Sequence, residues 1–138
     1  MQPPTAIMFH SVGLDRFGWV YPHIAEPPGF FANRMAALAR AGYSTAFFAT
    51  GYERREGKVV VLTFDDGSLD NWVHVFPVLA KHGMRATIFV TPEFVDPRPI
   101  VRQRVEPGSM RDEAHEADGC CAGFLSWLEL REMERSGL

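Results

Sequence analysis

Residues 59–67 read VVVLTFDDG, an apolar run that stops on two adjacent carboxylates and a glycine. Val59, Val60, Val61 and Leu62 are β-branched or apolar without alternation, the pattern of a strand covered on both faces in a parallel sheet. The Asp-Gly step then sets a turn. In α/β folds such turns lie at the carboxyl edge of the strands, so Asp65 and Asp66 are expected together at the mouth of a site. Two carboxylates that close cannot ionise independently. Either one keeps its proton, or a metal ion neutralises the pair and frees one member to act as a base. Asp-Asp-Gly is also plain strand-to-helix punctuation, with an Asp capping the next helix, and the flanking sequence has to separate the two readings.

On the amino-terminal side, Ala6 to Phe9 read as a first strand, and Gly13 to Gly29, rich in Gly, Pro and aromatics, as a long loop over the site end. Phe31, Met35 and Leu38 recur at helical spacing in FANRMAALARAG (31–42), with Gly42 as the left-handed stop. Tyr43 to Ala49 give a second strand. The charged connection ERREGK (53–58) to the third strand, Val59 to Phe64, is short enough to leave a hairpin open.

On the carboxyl side, NWVHVFPVLAKHG (71–83) is apolar at helical spacing, but Pro77 requires the helix to start near Phe76 or to kink there. Gly83 ends it and Ala86 to Val90 form a fourth strand, an alternation that implies parallel pairing with right-handed crossovers. From Pro92 to Gly123 the chain turns polar without period, which reads as an irregular insertion (92–123). Ser126 and Glu129 make a capping box, Leu125 and Leu130 a hydrophobic staple, and Gly137 with Leu138 a Schellman stop.

TFDDG (63–67), DNW (70–72), FPVLAKHGMRATIFV (76–90) and LSWLELREMERSGL (125–138) closely resemble the polysaccharide deacetylases, carbohydrate esterase family 4 with the NodB homology domain. AIMFHSVG (6–13) is similar to the family's first strand and its Tyr-His turn, with Phe9 in place of the tyrosine. The resemblance implies an α/β fold, a partial (β/α) barrel of parallel strands alternating with helices, with residues 1–138 as the N-terminal part of one catalytic domain. It implies that Asp65 is the general base and that Asp66 is a ligand to a divalent metal, usually zinc. The family completes its metal site with two histidines four residues apart beyond a helix resembling 126–136. The five histidines here, His10, His23, His74, His82 and His115, include no such pair. Zinc is therefore expected in the complete domain, with weak or no binding by this chain alone, and the chain alone is expected to be inactive.

The activity so implied is hydrolysis of an N-acetyl group on an N-acetylated sugar polymer or oligomer. A divalent metal would polarise the carbonyl, backbone N–H groups would steady the oxyanion, and a histidine from a later motif would protonate the amine. His10 also ends a strand and belongs on the same rim as Asp65, where it lines the site or is a structural histidine. Trp19 and Tyr21 in the first loop are candidates for stacking on sugar rings. His74 and His82 flank a helix and are expected to face solvent.

The composition sets outer limits. A formal charge of −3 over 138 residues excludes a basic nucleic-acid surface, and 46% hydrophobic residues exclude a disordered chain. No signal sequence or membrane span is read, so the chain is expected to be cytoplasmic, an exported parent remaining compatible. Adjacent Cys120 and Cys121 offer no C-x-x-C spacing. Four strands of a barrel would leave open sheet edges, and self-association is expected. Two other readings stand beside the deacetylase: a non-catalytic remnant or interaction module of the same fold, and a receiver-like Mg-binding phosphoacceptor.

Overall fold

The computed structural model describes residues 4–13, 24–49, 57–106 and 123–138. Its centre is β3 (Val59–Asp66), flanked in a four-stranded sheet by strands that all run parallel to it. β1 (Thr5–Phe9) lies along one side, with Thr5 opposite Val60 and Phe9 opposite Phe64. The other side is shared. β2 (Ser44–Ala46) pairs the amino-terminal half of β3 and β4 (Thr87–Val90) the carboxyl half, with Asp66 opposite Val90. Where β2 and β4 part, side chains bridge the gap: the Phe48 N–H donates to Thr87 Oγ1 at 2.9 Å and the Arg85 N–H to Thr45 Oγ1 at 2.5 Å.

The parallel pairing of β2 with β3 rules out the hairpin that the short connection left open. β2 is also shorter than its sequence reading, ending at Ala46 rather than Ala49. β3 is longer, because its pairing with β4 carries the strand through both aspartates. Val60 to Phe64 are buried without interruption, as an apolar run in a covered strand requires.

Helix α1 (Pro28–Arg40) begins three residues before the expected Phe31, since the ring of Pro28 presets the first helical turn and loses no hydrogen bond there. Phe31 and Met35 are fully buried, and Gly42 takes its left-handed turn at φ 78°. Pro77 lacks an N–H, and in a regular helix its ring would crowd the Val73 carbonyl. The chain answers with a π-helical turn over Asn71–Val75 that passes into helix α2 (Phe76–His82). This entry is buried on every side, from Asn71 through Phe76. His74 is therefore buried rather than solvent-facing.

Helix α3 (Trp127–Ser136) carries the expected capping box, the Glu129 N–H donating to Ser126 Oγ and the Ser126 N–H to the Glu129 carboxylate. Gly137 closes it at φ 73°. Two apolar clusters fill the interior. One lies between the sheet and helices α1 and α2, around Phe9, Phe31, Met35, Leu62 and Phe64. The second lies between the π turn and α3, around Leu69, Trp72, Phe76, Leu125 and Met133, with Ile88 packed against both.

The segment 92–106 is irregular, opening with a 3-10 turn at Pro92–Phe94, and it is tied down by polar contacts. Trp72 Nε1 donates to the Arg102 carbonyl at 2.7 Å, and the Val105 N–H to the Val73 carbonyl at 3.0 Å. Arg102 reaches Glu129 and Asp96 and also donates to the Phe124 carbonyl. Trp19, Tyr21, His23, His115, Cys120 and Cys121 lie outside the described residues. Among the described residues, no helix is long and apolar enough to cross a membrane.

Candidate active site

The site is built on the last residues of two neighbouring strands. Phe9 of β1 and Phe64 of β3 are register partners whose rings stack at 5.1 Å, and Phe31 of α1 meets them edge-on at 5.4 and 5.9 Å. Aromatic pairs in these geometries contribute about 0.5–1.5 kcal/mol each beyond area burial. This floor fixes the residues that follow it. His10 and Asp65 each come directly after a stacked phenylalanine, and His10 Nε2 lies 3.8 Å from Asp65 Oδ2. Both side chains keep partial access to solvent, 24% and 32%.

Strand alternation puts Val60, Leu62 and Phe64 toward the helices and Asp65 on the opposite face. Continued regularly, it would carry Asp66 into the helix-covered face. The chain breaks the alternation there. Asp66 has φ 70°, the one positive value at a non-glycine residue among those described, and Gly67 follows at φ 76°. Asp tolerates this conformation better than most residues, yet such positions cost on the order of 1–3 kcal/mol and gather at functional sites. Gly67 is also closely approached, and a Cβ there would fall 3.0 Å from Val90 Cγ1 and require that side chain to shift.

Beneath the rim is a buried polar layer that sequence reasoning did not assign to the site. Asp70 is buried and accepts hydrogen bonds from Ser11 Oγ, from the Val12 N–H and from Asn71 Nδ2. Asn71 is fully buried, and its Nδ2 also donates to the His10 carbonyl at 3.1 Å. Burial pushes the Asp70 carboxyl up from 3.8 to about 6, against the opposing pull of those hydrogen bonds. The available signal was two polar residues, Asp70 and Asn71, opening an otherwise apolar helical run.

His10 also borders a cleft of about 490 Å³ shared with Phe30, Glu26 and Arg34. Arg34 Nη2 pairs with Glu26 Oε1 at 2.8 Å, and burial raises the Glu26 carboxyl although Arg34 opposes it. The structure thus sets His10 beside Asp65, with Asp66 next along the chain on its left-handed backbone. Among the described residues, no three His, Cys, Asp or Glu side chains converge as a metal-binding group.

The polysaccharide deacetylase family model matches residues 52–138. The chain belongs to this family. A stretch of 90 residues is 33% identical to YxkH of Bacillus subtilis strain 168, whose name places it among the polysaccharide deacetylases; it covers 61% of this chain and 30% of YxkH. IcaB from Ammonifex degensii superposes with a TM-score of 0.65 at 25% identity, covering 97% of this chain and 49% of that one. BC0361, a polysaccharide deacetylase from Bacillus cereus, superposes with a TM-score of 0.67 at 25% identity, over 99% of this chain and 37% of that one. The chain thus spans half or less of the length of these relatives. Its sheet and helices are part of the deacetylase barrel, and membership of the family sets aside the receiver-like reading.

Proposed function

We propose that residues 1–138 are the N-terminal part of a deacetylase domain that removes N-acetyl groups from an N-acetylated glycan. The observation that carries this reading is the rim itself: two successive carboxylates at the end of the central strand, the second on a left-handed backbone, with a histidine 3.8 Å from the first. The residues present fit a divalent cation in part. Asp66 offers one hard oxygen donor at the rim, whereas a catalytic zinc takes three protein ligands, so the remaining ones are assigned to the two histidines of the complete family domain. Asp66 would hold the metal, which when bound polarises the acetamide carbonyl.

The other roles fall to this chain's own side chains. Asp65 takes the proton from the attacking water. To His10, on the same rim and partly open to solvent, we assign the return of a proton to the leaving amine, where the family resemblance implied a later histidine. In the protein carrying the complete family domain, Asp65→Asn should leave metal affinity intact and lower turnover about 10²–10⁴-fold. Asp66→Ala should lose metal and turnover together. Unchanged metal affinity in Asp66→Ala, measured by calorimetry, would remove Asp66 from the ligand set. Full turnover in both variants would remove the aspartate pair from the mechanism, and no turnover in the unsubstituted protein would leave the non-catalytic module as the better description.

The same reading includes self-association of the 138-residue chain. Among the described residues β1 pairs on one side only, and Met8 of β1, Phe48 beyond β2 and Phe89 of β4 are exposed, as are Phe30 of α1 and Phe94 of the 3-10 turn. Open edges and apolar patches of this kind recruit other chains. Sedimentation velocity at rising concentration should show species larger than 15.5 kDa. A strict monomer across the micromolar range would contradict it.

A further inference from the structure

We propose that Asn71 and Asp70 are positioning residues that hold His10 against Asp65; the inference rests on the reading of that rim as the active site. Three consecutive residues after β1 bond to this pair, and a fourth, Gly13, leaves little space beside it. The His10 carbonyl accepts from Asn71 Nδ2, Ser11 Oγ and the Val12 N–H donate to Asp70, and a Cβ on Gly13 would sit 3.5 Å from Asp70 Oδ2. The opposite side of the turn is fastened by backbone bonds. The Glu26 N–H donates to the Ser11 carbonyl at 3.0 Å, and the Ser11 N–H to the Ile24 carbonyl.

The clamp and the base come from one stretch of chain. Asp65 is the last residue but one of β3 and Asn71 opens the π turn six positions later, so the segment that carries the base also grips the backbone that carries its histidine. Asn71 Nδ2 divides its two hydrogens between the His10 carbonyl and Asp70 Oδ1. Asp70 stays in place because three donors converge on it, from Ser11 Oγ, the Val12 N–H and Asn71 Nδ2. Helix widening of the π type recurs at functional sites, and here it begins at the clamping residue.

The test reads the coupling between His10 and Asp65 rather than hydrolysis, so it stands or falls separately from the proposed activity. The acylation rate of His10 by diethylpyrocarbonate is followed by peptide mass spectrometry in the 138-residue chain, with Asp65 and with Asp65→Asn. A carboxylate 3.8 Å away bears directly on the ring's reactivity, and the substitution should change the rate at least about fivefold, the order of a charge pair at that separation screened as in bulk water. In Asn71→Leu and Asp70→Ala backgrounds the ratio should fall to about one. Asp70→Asn, which keeps an acceptor for Asn71, should restore it. Val78→Ala removes buried core volume elsewhere on α2 and should leave the ratio unchanged although it costs stability. A fivefold ratio that persists in Asn71→Leu and Asp70→Ala, or that collapses equally in Val78→Ala, overturns the proposal.

Discussion

Two carboxylates in this molecule are buried to a similar degree and are driven in opposite directions. Asp70, under the rim, is surrounded by hydroxyl, amide and backbone donors and carries a carboxyl raised to about 6. Glu129, under the capping box of α3, is also fully buried. Burial alone would raise it as well, but hydrogen bonds from Arg102 and from the Ser126 and Arg102 N–H groups hold it below the usual carboxylate range. Its neighbour Asp96 is held at about 2 by hydrogen bonds from Arg98, with Arg102 adding its charge. Neutral donors soften desolvation without cancelling it. A guanidinium that meets the carboxylate at 2.6 and 2.9 Å reverses its direction.

The contrast separates the ion-paired region at α3 from the proposed site. The Arg102 network ties the 92–106 segment to the start of α3 and satisfies the charges it buries. The Asp70 network, among the described residues, holds its charge without a cation beside a rim that carries two more carboxylates. Charge left uncompensated near a catalytic edge is a common mark of function, whereas a paired network is a common mark of structure.

The largest effect should come from breaking the compensated side. Arg102→Ala leaves the Glu129 carboxylate buried and unpaired, and should cost about 3–5 kcal/mol in urea unfolding. A loss under 1 kcal/mol would mean that Glu129 simply takes up a proton or reaches water.

The uncompensated side should show its sign through pH. The folded-state value of Asp70 lies above the unfolded one. Its stabilising contribution is therefore fully present below pH about 4 and is lost as pH rises through about 6, by on the order of 3 kcal/mol. Asp96 and Glu129 act in reverse, since their values are lowered: their contributions are present above the unfolded values and lost as pH falls through the folded ones. Asp70→Asn should therefore flatten unfolding free energy between pH 4 and 8, in steps of about one unit, while leaving the acid limb in place. An unaltered slope in that window would show that Asp70 is not the group responsible.

The smallest change concerns the cap that orients Glu129. Ser126→Ala removes the acceptor for the Glu129 N–H and the donor to the Ile100 carbonyl, and should cost about 1–2 kcal/mol with little change in pH dependence. A cost as large as that of Arg102→Ala would make the cap, rather than the ion pair, the anchor of this region.

Local pattern was enough to read β3, the capping box at Ser126 and Glu129, and the stops at Gly42, Gly83 and Gly137, because each depends on residues within a few positions of one another. The rim residues Asp65, Asp66 and His10 were legible for the same reason: all three sit at strand ends that the apolar runs announce. What the sequence could not decide depends on neighbours far along the chain. The left-handed backbone of Asp66 follows from pairing with β4 and from the close approach of Val90 to Gly67. The burial of His74 follows from a π turn enclosed by two apolar clusters, where periodicity alone pointed to solvent. Whether Asp70 and Glu129 lie above or below their ordinary values was set by which donors reach them, Ser11 and Val12 in one case and Arg102 in the other, across 59 and 27 positions of sequence from Ser11 and Arg102. Desolvation and charge pairing act through space over a few ångströms, and only the packed chain determines which groups share that space.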